Sequence, residues 1–524
     1  MRRHEETGPR LPEWWNRPYF CPIPPGGDRR FQGARTAHSF RCVFRMLRSV
    51  VLVVLVALLA PSAAAQVAPS EYTLRRQRLM NALGEGVLVV TGADEPKEDY
   101  LSFWQTPDFE YLTGFREPGA KLVVVKLGAT QIEYLFTEEK NPGREVWTGN
   151  RFGPQKAGLV TSTIGRPLSE FAKVLDSLAL RSSKVFTFGE DAAGAELKKK
   201  NATITLTDAT RAIQQLRGTK SPEELACIRR AVDVTVDAQK LAMRAVRPDA
   251  GEYEIQGLIE YTFRRNGADR PSFGTIVGSG PNSTTLHYNA NDRTMRSGEV
   301  VVMDIGASFK GYAADVTRTV PVSGSYTPAQ RDIYQIVRDA QAAAEQEAVV
   351  GAPARNMSTA ASKALAAGLA RVGLITSADA TYDCGANGRK CPQLSLYYMH
   401  GLGHGIGLEV HDPDQYYFTG TLTAGSAFTI EPGIYVRENL LEILSDTPGN
   451  QAMIAAIRGA HAKYQNIGVR IEDDYVVTAS GVEWISRAPR EMAEIEALMK
   501  QGPATISTAQ VPLNLACGAA QVQP

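Results

Sequence analysis

Histidine is scarce in this chain, and almost half of it is concentrated in one short segment. The 524 residues include seven histidines, and three of them, His400, His404 and His411, lie within twelve residues. Four carboxylates stand in strand-like surroundings elsewhere in the sequence: Asp304, Asp315, Glu431 and Glu472. Four carboxylates with an imidazole suit two divalent ions that share bridging carboxylates better than one tetrahedral zinc. The residue types therefore predict a metal-dependent reaction centre.

The two aspartates predict a facing pair on adjacent strands. The apolar segments around them would be joined by a tight connection at Phe309 and Lys310. If the hairpin is symmetric about that connection, Asp304 and Asp315 face each other with Cβ atoms roughly 5 Å apart. Two bare carboxylates so close repel each other, and a cation between them removes that cost. Two exposed acids on a solvent face are the alternative for an isolated hairpin.

The two glutamates repeat this pattern. Glu431 lies in Thr-Ile-Glu-Pro-Gly and Glu472 in Val-Arg-Ile-Glu-Asp-Asp, so each belongs to an apolar, β-like run. A charged side chain is costly there unless it is paired or bound to metal. One such glutamate could be a satisfied core acid, but two of them beside the aspartate pair favour a metal site.

The histidine segment does not predict a helix, in spite of its spacing. His400 and His404 are four residues apart, as two zinc ligands on one helical face are. Every second residue from 401 to 407 is glycine, however, and glycine disfavours a helix. The glycines indicate backbone packed closely around ligands, with one histidine on metal and the others free to contact substrate. His287, in Leu-His-Tyr, is a further candidate, whereas nothing distinguishes His461 from a surface residue.

The elements that must position these residues divide into two parts. Composition is that of an ordinary globular protein, with 44% hydrophobic residues, 22% charged residues and a formal net charge of +1, so no nucleic-acid partner is predicted. Alternating helical and strand patterns predict an α/β domain over residues 66–217. A second domain over residues 218–501 begins with a long helix, and residues 502–524 predict a flexible tail.

The start of that long helix has a specific signature. Ser221 can cap the helix, Pro222 occupies its first position, and Glu224 can complete a capping box. Further along, Cys384 and Cys391 bracket a short loop, whose spacing permits a disulfide in an oxidising compartment without requiring one.

Residues 1–65 predict an over-extended start followed by an export signal. Arginines at 41, 45 and 48 precede the apolar run 50–60, and Ala63-Ala64-Ala65 matches a signal-peptidase site. The run is too short for a permanent bilayer span. We expect an exported protein, periplasmic or secreted, without stable membrane insertion after cleavage. An uncleaved anchor and a cytosolic protein are the alternatives, and Met46 is well placed as the start of the signal.

These motifs resemble the pita-bread metallopeptidases, which comprise methionine aminopeptidases, Xaa-Pro aminopeptidases and Xaa-Pro dipeptidases. Asp-x10-Asp, His-Gly-x-x-His, Ile-Glu-Pro-Gly and Arg-Ile-Glu-Asp carry the resemblance, which covers nearly all of residues 70–500. Residues 103–118 and 145–151 look like the accessory domain of the proline-specific members, which methionine aminopeptidases lack. The resemblance implies an α+β protein, with a pita-bread catalytic domain preceded by a smaller α/β accessory domain.

The resemblance also implies a ligand set for two divalent ions. The implied ligands are Asp304 as a terminal ligand, Asp315 and Glu472 as bridges, and His404 and Glu431 on the second ion. Manganese is the expected metal, with zinc and cobalt as alternatives. No ligand position is substituted, which argues against the non-catalytic relatives and the metal-free creatinase-like branch.

The expected reaction is hydrolysis by a hydroxide held between the two ions, which attacks the carbonyl preceding proline. Glu431 is the expected proton shuttle to the leaving nitrogen, and His400 and His411 would orient substrate and stabilise the oxyanion. His287 would line the proline side, and Arg470 would hold a histidine or a carboxylate in place.

Substrate length separates the remaining hypotheses. A dipeptidase must bind the product carboxylate, ideally with an arginine, but no Arg or Lys lies between His411 and Glu431. This favours an Xaa-Pro aminopeptidase acting on peptides with a penultimate proline. The long segment 437–467 looks more like the dipeptidases, and is interpreted as a lid, an oligomer contact or a surface insertion. A non-catalytic secreted binding protein is the remote alternative.

The resemblance implies a homo-oligomer, either a dimer or a tetramer. In relatives a tryptophan of the accessory domain approaches the active site, sometimes that of a neighbouring subunit. Trp147 is therefore a candidate substrate-binding residue, with core packing as the alternative role for an aromatic side chain of this size.

Overall fold

A mixed six-stranded sheet with helices on both faces forms the first part of the molecule. The computed structural model describes residues 67–98, 100–385 and 388–504. The predicted signal segment and nearly all of the predicted tail lie outside these residues. We call residues 69–217 the N-terminal region and residues 222–499 the C-terminal region. All the described residues belong to one compact unit by their contacts.

The N-terminal region alternates helices and strands, as its sequence patterns predict. Its helices are α1 Pro69–Leu83, α2 Pro107–Thr113, α3 Pro142–Thr148, α4 Gly153–Thr161, α5 Phe171–Ala179, α6 Ala192–Lys200 and α7 Thr210–Arg217. Its strands are β1 Gly86–Thr91, β2 Lys121–Leu127, β3 Thr130–Thr137, β4 Ile164–Pro167, β5 Lys184–Thr187 and β6 Thr205–Asp208. The strand order is β4-β3-β2-β1-β5-β6, in which β2 pairs antiparallel with both β1 and β3 and the other pairings are parallel.

The two faces of this sheet belong to different cores, because successive strand residues point to opposite sides. Val87 and Val89 of β1 pack with the helices of the N-terminal region alone. Leu88 and Val90 pack in a second cluster that also contains Phe309 and other side chains of the C-terminal region. The N-terminal region is therefore joined to the C-terminal region through a continuous apolar core.

The C-terminal region combines long helices with short antiparallel sheets. Its helices are α8 Pro222–Ala245, α9 Glu252–Arg265, α10 Pro328–Gln346, α11 Arg355–Arg371, α12 Tyr416–Thr419, α13 Pro448–Tyr464 and α14 Met492–Met499. Its strands are β7 Arg270–Pro271, β8 Ile276–Ser279, β9 Val300–Ile305, β10 Ala307–Phe309, β11 Tyr312–Ala313, β12 Val316–Pro321, β13 Thr381–Asp383, β14 Lys390–Pro392, β15 Ala427–Ile430, β16 Gly433–Val436, β17 Ile467–Arg470, β18 Asp473–Thr478 and β19 Gly481–Trp484. The sheet orders are β11-β10-β7, β12-β9-β8, β13-β14, β15-β18-β19 and β16-β17.

The capping box at the start of α8 is confirmed. The Ser221 hydroxyl accepts from the Glu224 amide at 3.3 Å, and the Ser221 amide donates to Glu224 Oε2 at 2.9 Å. Pro222 occupies the first turn, where its missing amide proton leaves no partner unsatisfied. The helix therefore begins where the sequence predicts.

The predicted pairing of the two aspartates is wrong in register. In the β9–β12 ladder Asp304 lies opposite Thr317, and Asp315 precedes β12. The reason is the turn, which is centred between Lys310 and Gly311 instead of one residue earlier. Both turn residues have left-handed backbone, with φ of 52° and 84°, which is the requirement of a two-residue hairpin turn that matches strand twist.

Three predictions about residues 384–467 can be compared with the structure. Cys384 and Cys391 form a disulfide with a Cα–Cα distance of 5.7 Å. Within the segment 437–467, α13 packs Met453 and Ile457 into the core, so this helix is not a loosely attached surface insertion. His461 is buried on the same helix, and its Nε2 lies 2.9 Å from the Arg437 carbonyl oxygen, so its interpretation as a surface residue is wrong.

No helix of the described residues has the length and apolarity needed to cross a membrane.

Candidate active site

One open cavity collects almost every residue that the sequence singled out. Its volume is about 520 Å³, and it lies between the β9–β12 hairpin, the histidine segment and the ends of β15 and β17. The predicted residues that line it are His287, Asp304, Asp315, His400, His404, His411, Glu431, Arg470 and Glu472. Residues separated by up to 185 positions in sequence thus share one site.

The acids reach this cavity because each lies at a strand end or a strand junction. Asp304 is the penultimate residue of β9, and Asp315 directly precedes β12. Glu431 follows β15, whereas Glu472 lies between β17 and β18. The Glu472 amide donates to the Thr317 carbonyl at 3.1 Å, which brings the second pair of strands against the hairpin.

His404 is held beside β15 by its own backbone. Its amide donates to the Thr429 hydroxyl at 3.2 Å, and the Thr429 amide donates to the His404 carbonyl at 2.9 Å. The preceding Gly403 passes so close to this strand that a Cβ there would lie 2.5 Å from the Thr429 carbonyl oxygen. The prediction that the glycines allow close backbone packing around the site is confirmed at this position.

The imidazole of His404 points at three of the carboxylates. Its Nε2 lies 3.5 Å from Glu431 Oε1, 3.6 Å from Asp315 Oδ2 and 3.9 Å from Glu472 Oε1. Ligand-type atoms of Asp315, His404 and Glu472 all lie within 4.8 Å of one another. Burial, followed by the neighbouring His411, lowers the pKa of His404 to about 4, so the ring is neutral and able to bind a metal ion.

Three of the carboxylates in the cavity have an oxygen that receives no hydrogen bond from the described part of the chain. Asp304 Oδ1, Asp315 Oδ1 and Glu472 Oε1 are buried without a hydrogen-bond partner. Burial and the Glu472 charge raise the pKa of Asp315 well above its usual range, and the same two causes raise that of Glu431. Buried acids left unpaired in this way are stabilised by bound cations. The donor set of carboxylate oxygens and one imidazole therefore fits a divalent metal.

Arg470 links this acidic cluster to a histidine. Its guanidinium contacts Asp304 Oδ2 closely and donates to the Tyr435 hydroxyl at 2.8 Å. Tyr435 in turn lies 2.9 Å from His400 Nε2, and His400 Nδ1 lies 2.8 Å from the Gly401 carbonyl oxygen. Because Arg470 can only donate, the Tyr435 proton is free to point at Nε2, which leaves the His400 proton on Nδ1.

His400 faces the cavity as a neutral ring. Burial, followed by the nearby Arg470 charge, lowers its pKa to about 3. Its Nδ1 is 3.9 Å from Glu431 Oε2, so the histidine and the glutamate share one side of the cavity. His411 lies on the other side, where its ring centroid is 4.1 Å from that of His404 and its Nδ1 is 2.8 Å from Asp414 Oδ1.

Two positioning groups escaped sequence reasoning. Tyr435 connects Arg470 with His400, and Thr317 donates from its hydroxyl to Glu472 Oε2 at 2.6 Å. Thr317 is the residue opposite Asp304, so a correct hairpin register would have found it. Tyr435 follows Glu431 by four positions within one apolar segment, but nothing in that spacing distinguishes it from a core tyrosine.

Trp147 is not brought to this cavity within the chain. It lies on α3 and is 75% exposed, so the alternative of core packing is wrong. Apolar walls are supplied instead by Phe273, Ile276, Leu286, Val410 and Phe418. These apolar side chains next to the polar cluster suit an apolar substrate group such as a proline ring.

Comparison with known proteins shows which family this chain resembles. The family described as "Metallopeptidase family M24" matches residues 226–479, and "Aminopeptidase P, N-terminal domain" matches residues 72–186. The chain is 32% identical to the Xaa-Pro aminopeptidase of Escherichia coli over 83% of its own length and 98% of that protein. It is 32% identical to the Xaa-Pro aminopeptidase of Haemophilus influenzae over 76% of its length and 88% of that protein.

Solved structures agree in fold. Escherichia coli aminopeptidase P with the inhibitor Pro-Leu superposes with a TM-score of 0.71 at 31% identity, covering 83% of this chain and 99% of that chain. Proline aminopeptidase P II from Yersinia pestis gives a TM-score of 0.71 at 30% identity, covering 83% and 100%. The predicted α+β fold, a pita-bread catalytic region after an N-terminal α/β region, is thereby confirmed. The chain belongs to the aminopeptidase P family of M24 metallopeptidases.

Proposed function

We propose that this protein is an Xaa-Pro aminopeptidase, which hydrolyses the bond between an N-terminal residue and a penultimate proline. The observation that carries the proposal is the cluster of buried carboxylates with unsatisfied oxygens around His404, facing an open cavity. The names of the relatives from Escherichia coli and Haemophilus influenzae support the substrate class.

Two divalent ions are the proposed cofactors, with Asp315 and Glu472 as shared ligands. Asp304 would complete the ligand set of one ion, and His404 and Glu431 would complete that of the other. Divalent ions bound there supply Lewis acidity and lower the pKa of a bound water toward neutrality. Manganese is the proposed metal on the family resemblance, with zinc and cobalt as alternatives, and its preference for carboxylate oxygens is compatible with this ligand set. One solved relative is described as a Zn-substituted Escherichia coli aminopeptidase P in complex with product.

The chain's own side chains provide the remaining chemistry. Glu431 is the proposed proton carrier, taking a proton from the attacking water and returning it to the leaving nitrogen of proline. His400, whose Nδ1 is 3.9 Å from Glu431 Oε2, and His411 would orient the substrate and stabilise charge on its carbonyl oxygen. His287 would contact the proline side, and Arg470 holds Asp304 and Tyr435 in place.

The charges of the cavity favour an aminopeptidase over a dipeptidase. A dipeptidase needs a cation for the product carboxylate next to proline. Among the described residues that line the cavity, Arg470 is the one Arg or Lys, and its guanidinium is already shared between Asp304, Tyr435 and a backbone carbonyl. The direction beyond proline is therefore open to a longer peptide.

We further propose export to the periplasm or the outside of the cell, on the signal-peptide pattern of residues 46–65. The disulfide between Cys384 and Cys391 is consistent with an oxidising compartment. A homo-oligomer, dimer or tetramer, is proposed on the family resemblance alone, and the exposed Trp147 is available to contact a second subunit.

The test compares peptides of two lengths with and without metal. Metal-free protein is loaded with Mn²⁺, and hydrolysis of an Xaa-Pro-Xaa tripeptide and of the corresponding Xaa-Pro dipeptide is followed by chromatography. We expect release of the first residue from the tripeptide, dependence on the ion, and little cleavage of the dipeptide. Cleavage of the dipeptide alone would point to a prolidase and overturn the proposal.

A pair of histidine variants separates the site from general damage. His404→Asn removes the proposed metal-binding imidazole, whereas His461→Asn removes another buried imidazole that lies outside the cavity. We expect the first variant to lose bound metal and activity and the second to retain both in its folded fraction. Equal metal content in the two variants would contradict the assigned ligands.

A further inference from the structure

A buried arginine at the end of the N-terminal region holds three carboxylates from two parts of the molecule. Arg217, whose side chain is 5% exposed, donates through Nη1 to Asp108 Oδ1 at 2.6 Å and through Nη2 to Glu409 Oε2 at 2.7 Å. Its Nε donates to Asp412 Oδ1 at 3.1 Å, and Nη2 lies 3.0 Å from Asp412 Oδ2. Asp108 belongs to α2, whereas the other two acids flank His411.

Asp412 closes the loop that contains these acids. Its Oδ2 accepts from the Leu408 amide at 2.9 Å, and its amide donates to the Gly405 carbonyl at 2.7 Å. The buried Lys220 ammonium donates to the Asp412 carbonyl at 2.6 Å. We call residues 405–412 the histidine loop, because His404 precedes it and His411 is its penultimate residue.

The histidine loop also touches the aspartate hairpin. The Gly407 carbonyl accepts from the Ala313 amide at 2.7 Å, two residues before Asp315. Displacement of the loop would therefore be felt by two proposed ligands, Asp315 and His404, as well as by His411. The His411 ring has few restraints of its own, since its side chain is 51% exposed and contacts Asp414 and the His404 ring.

We propose that Arg217 is a positioning residue for the peptidase reaction: anchored by Asp108 of the N-terminal region, it fixes the histidine loop through Asp412 and so orients His404 and His411. The inference rests on the proposed function. It assigns the N-terminal region a role in catalysis within its own chain, which Asp108 exerts without contacting substrate. The forked guanidinium is required, because a lysine cannot reach three carboxylates with fixed geometry.

The experiment compares two carboxylates that each accept a hydrogen bond from a buried arginine. Asp412→Asn removes the link between Arg217 and the loop. The matched control is Glu133→Gln, because Glu133, whose side chain is 11% exposed, accepts from the fully buried Arg76 at 2.7 Å inside the N-terminal region and does not line the cavity. Both variants lose one buried charge pair, so both are expected to melt at a lower temperature.

The two variants should differ in kinetics on an Xaa-Pro-Xaa peptide with Mn²⁺. We expect Asp412→Asn to lower kcat by roughly tenfold, the lower end of losses for outer-shell partners, with a smaller change in KM. Glu133→Gln should leave both constants within about twofold of wild type, within the usual scatter for independent sites. Equal kinetics in the two variants at matched loss of stability would overturn the proposal.

A milder series covers the case in which Asp412→Asn does not fold. Asp108→Asn alters a residue whose side chain is 25% exposed, and should lower kcat by about threefold, the size expected from one net hydrogen bond. Arg217→Lys should fail to restore wild-type kcat although it keeps the charge. Combining Asp108→Asn with Arg217→Lys should cost no more than Arg217→Lys alone, and strictly additive losses would contradict action through Arg217.

A readout without catalysis separates this inference from the proposed function. Histidine ring resonances of isotope-labelled, metal-free protein are recorded, with the His411 signal identified through His411→Gln. We expect Asp412→Asn and Asp108→Asn to shift the His411 and His404 signals, and Glu133→Gln to leave them in place. If wild type cleaves no proline peptide but the signals move as expected, the function fails and the positioning role stands. Unmoved signals would remove the positioning role.

Discussion

Two neighbouring residues, Glu472 and Asp473, are both fully buried acids but have opposite surroundings. Asp473 Oδ1 accepts from Arg318 and from Ser486, each at 2.7 Å. Its Oδ2 accepts from Gln341 at 2.9 Å and from Arg490 at 3.0 Å. Glu472 receives a hydrogen bond from a threonine hydroxyl on Oε2, while its Oε1 has no hydrogen-bond partner among the described residues.

The difference teaches which buried charges belong to the fold and which to the function. Glu472 immediately precedes β18 and lines the cavity, whereas Asp473, the first residue of β18, is buried in the core. Asp473 has its cations within the chain, so it is complete without a ligand. Glu472 lies among Asp304, Asp315 and Glu431 with too few cations, so its place in the folded chain is stabilised by something bound.

The largest expected effect comes from neutralising the unpaired acid. Glu472→Gln should lower kcat/KM at least about 10³-fold, more than the 10–100-fold typical of outer-shell partners. Above pH 8, where Glu472 is ionised in the metal-free protein, stability should be unchanged or raised, because one repelling charge leaves the cluster. Kinetic assays, metal analysis and melting temperatures in chelator measure these effects. A large loss of stability in the metal-free protein would show that Glu472, like Asp473, stabilises the fold.

The neighbouring substitution should have the opposite result. Asp473→Asn leaves Arg318 and Arg490 without a full counter-charge in the core, and breaking a buried pair costs about 3–5 kcal/mol. We expect the free energy of unfolding to fall by that order while the folded fraction keeps its metal content. Denaturant unfolding in the presence of metal measures the change, and a nearly wild-type midpoint would contradict the comparison.

Removal of metal should lower the free energy of unfolding of wild type and leave that of the Glu472→Gln variant nearly unchanged. An ion at one hundred times its dissociation constant contributes about 2.7 kcal/mol to the free energy of unfolding. Chelator should therefore lower the wild-type denaturation midpoint and leave that of the variant nearly unchanged. Equal shifts in the two proteins would show that the metal stabilises the chain at another place.

The smallest effect is a pH dependence of the metal-free protein, at most about 1.4 kcal/mol per pH unit for a single group. Burial, followed by the Asp304 charge, raises the pKa of Glu472 from its ordinary value of 4.5 to about 8. The folded state then binds more protons than the unfolded state between these values, so stability declines as pH rises through this interval. Unfolding free energies in chelator at several pH values test the slope, which saturating metal should reduce. A rise with pH would contradict the sign.

The candidate site was predictable from sequence because its chemistry resides in residue types. Asp304, Glu431 and Glu472 stood out as charges in apolar strands, and His400 and His404 as rare residues among glycines. That they converge in one cavity is a finding of the tertiary structure.

Strand register and side-chain burial were harder to predict from the sequence than the residue types of the site. The pairing of Asp304 depends on left-handed backbone at Lys310 and Gly311, and a shift of one residue in the turn moves every partner. The burial of His461 and the exposure of Trp147 depend on how α13 and α3 pack, which their local sequence does not report.

The sequence by itself determined the ligand chemistry, the start of α8 and the division into two kinds of region, since each follows from local residue types and spacing. Only the tertiary structure decided that Asp473 is neutralised by arginines while Glu472 is not, and that Arg217 joins α2 to the histidine loop. These contacts span up to 195 positions, and the pairing of distant charges depends on the packing of whole elements.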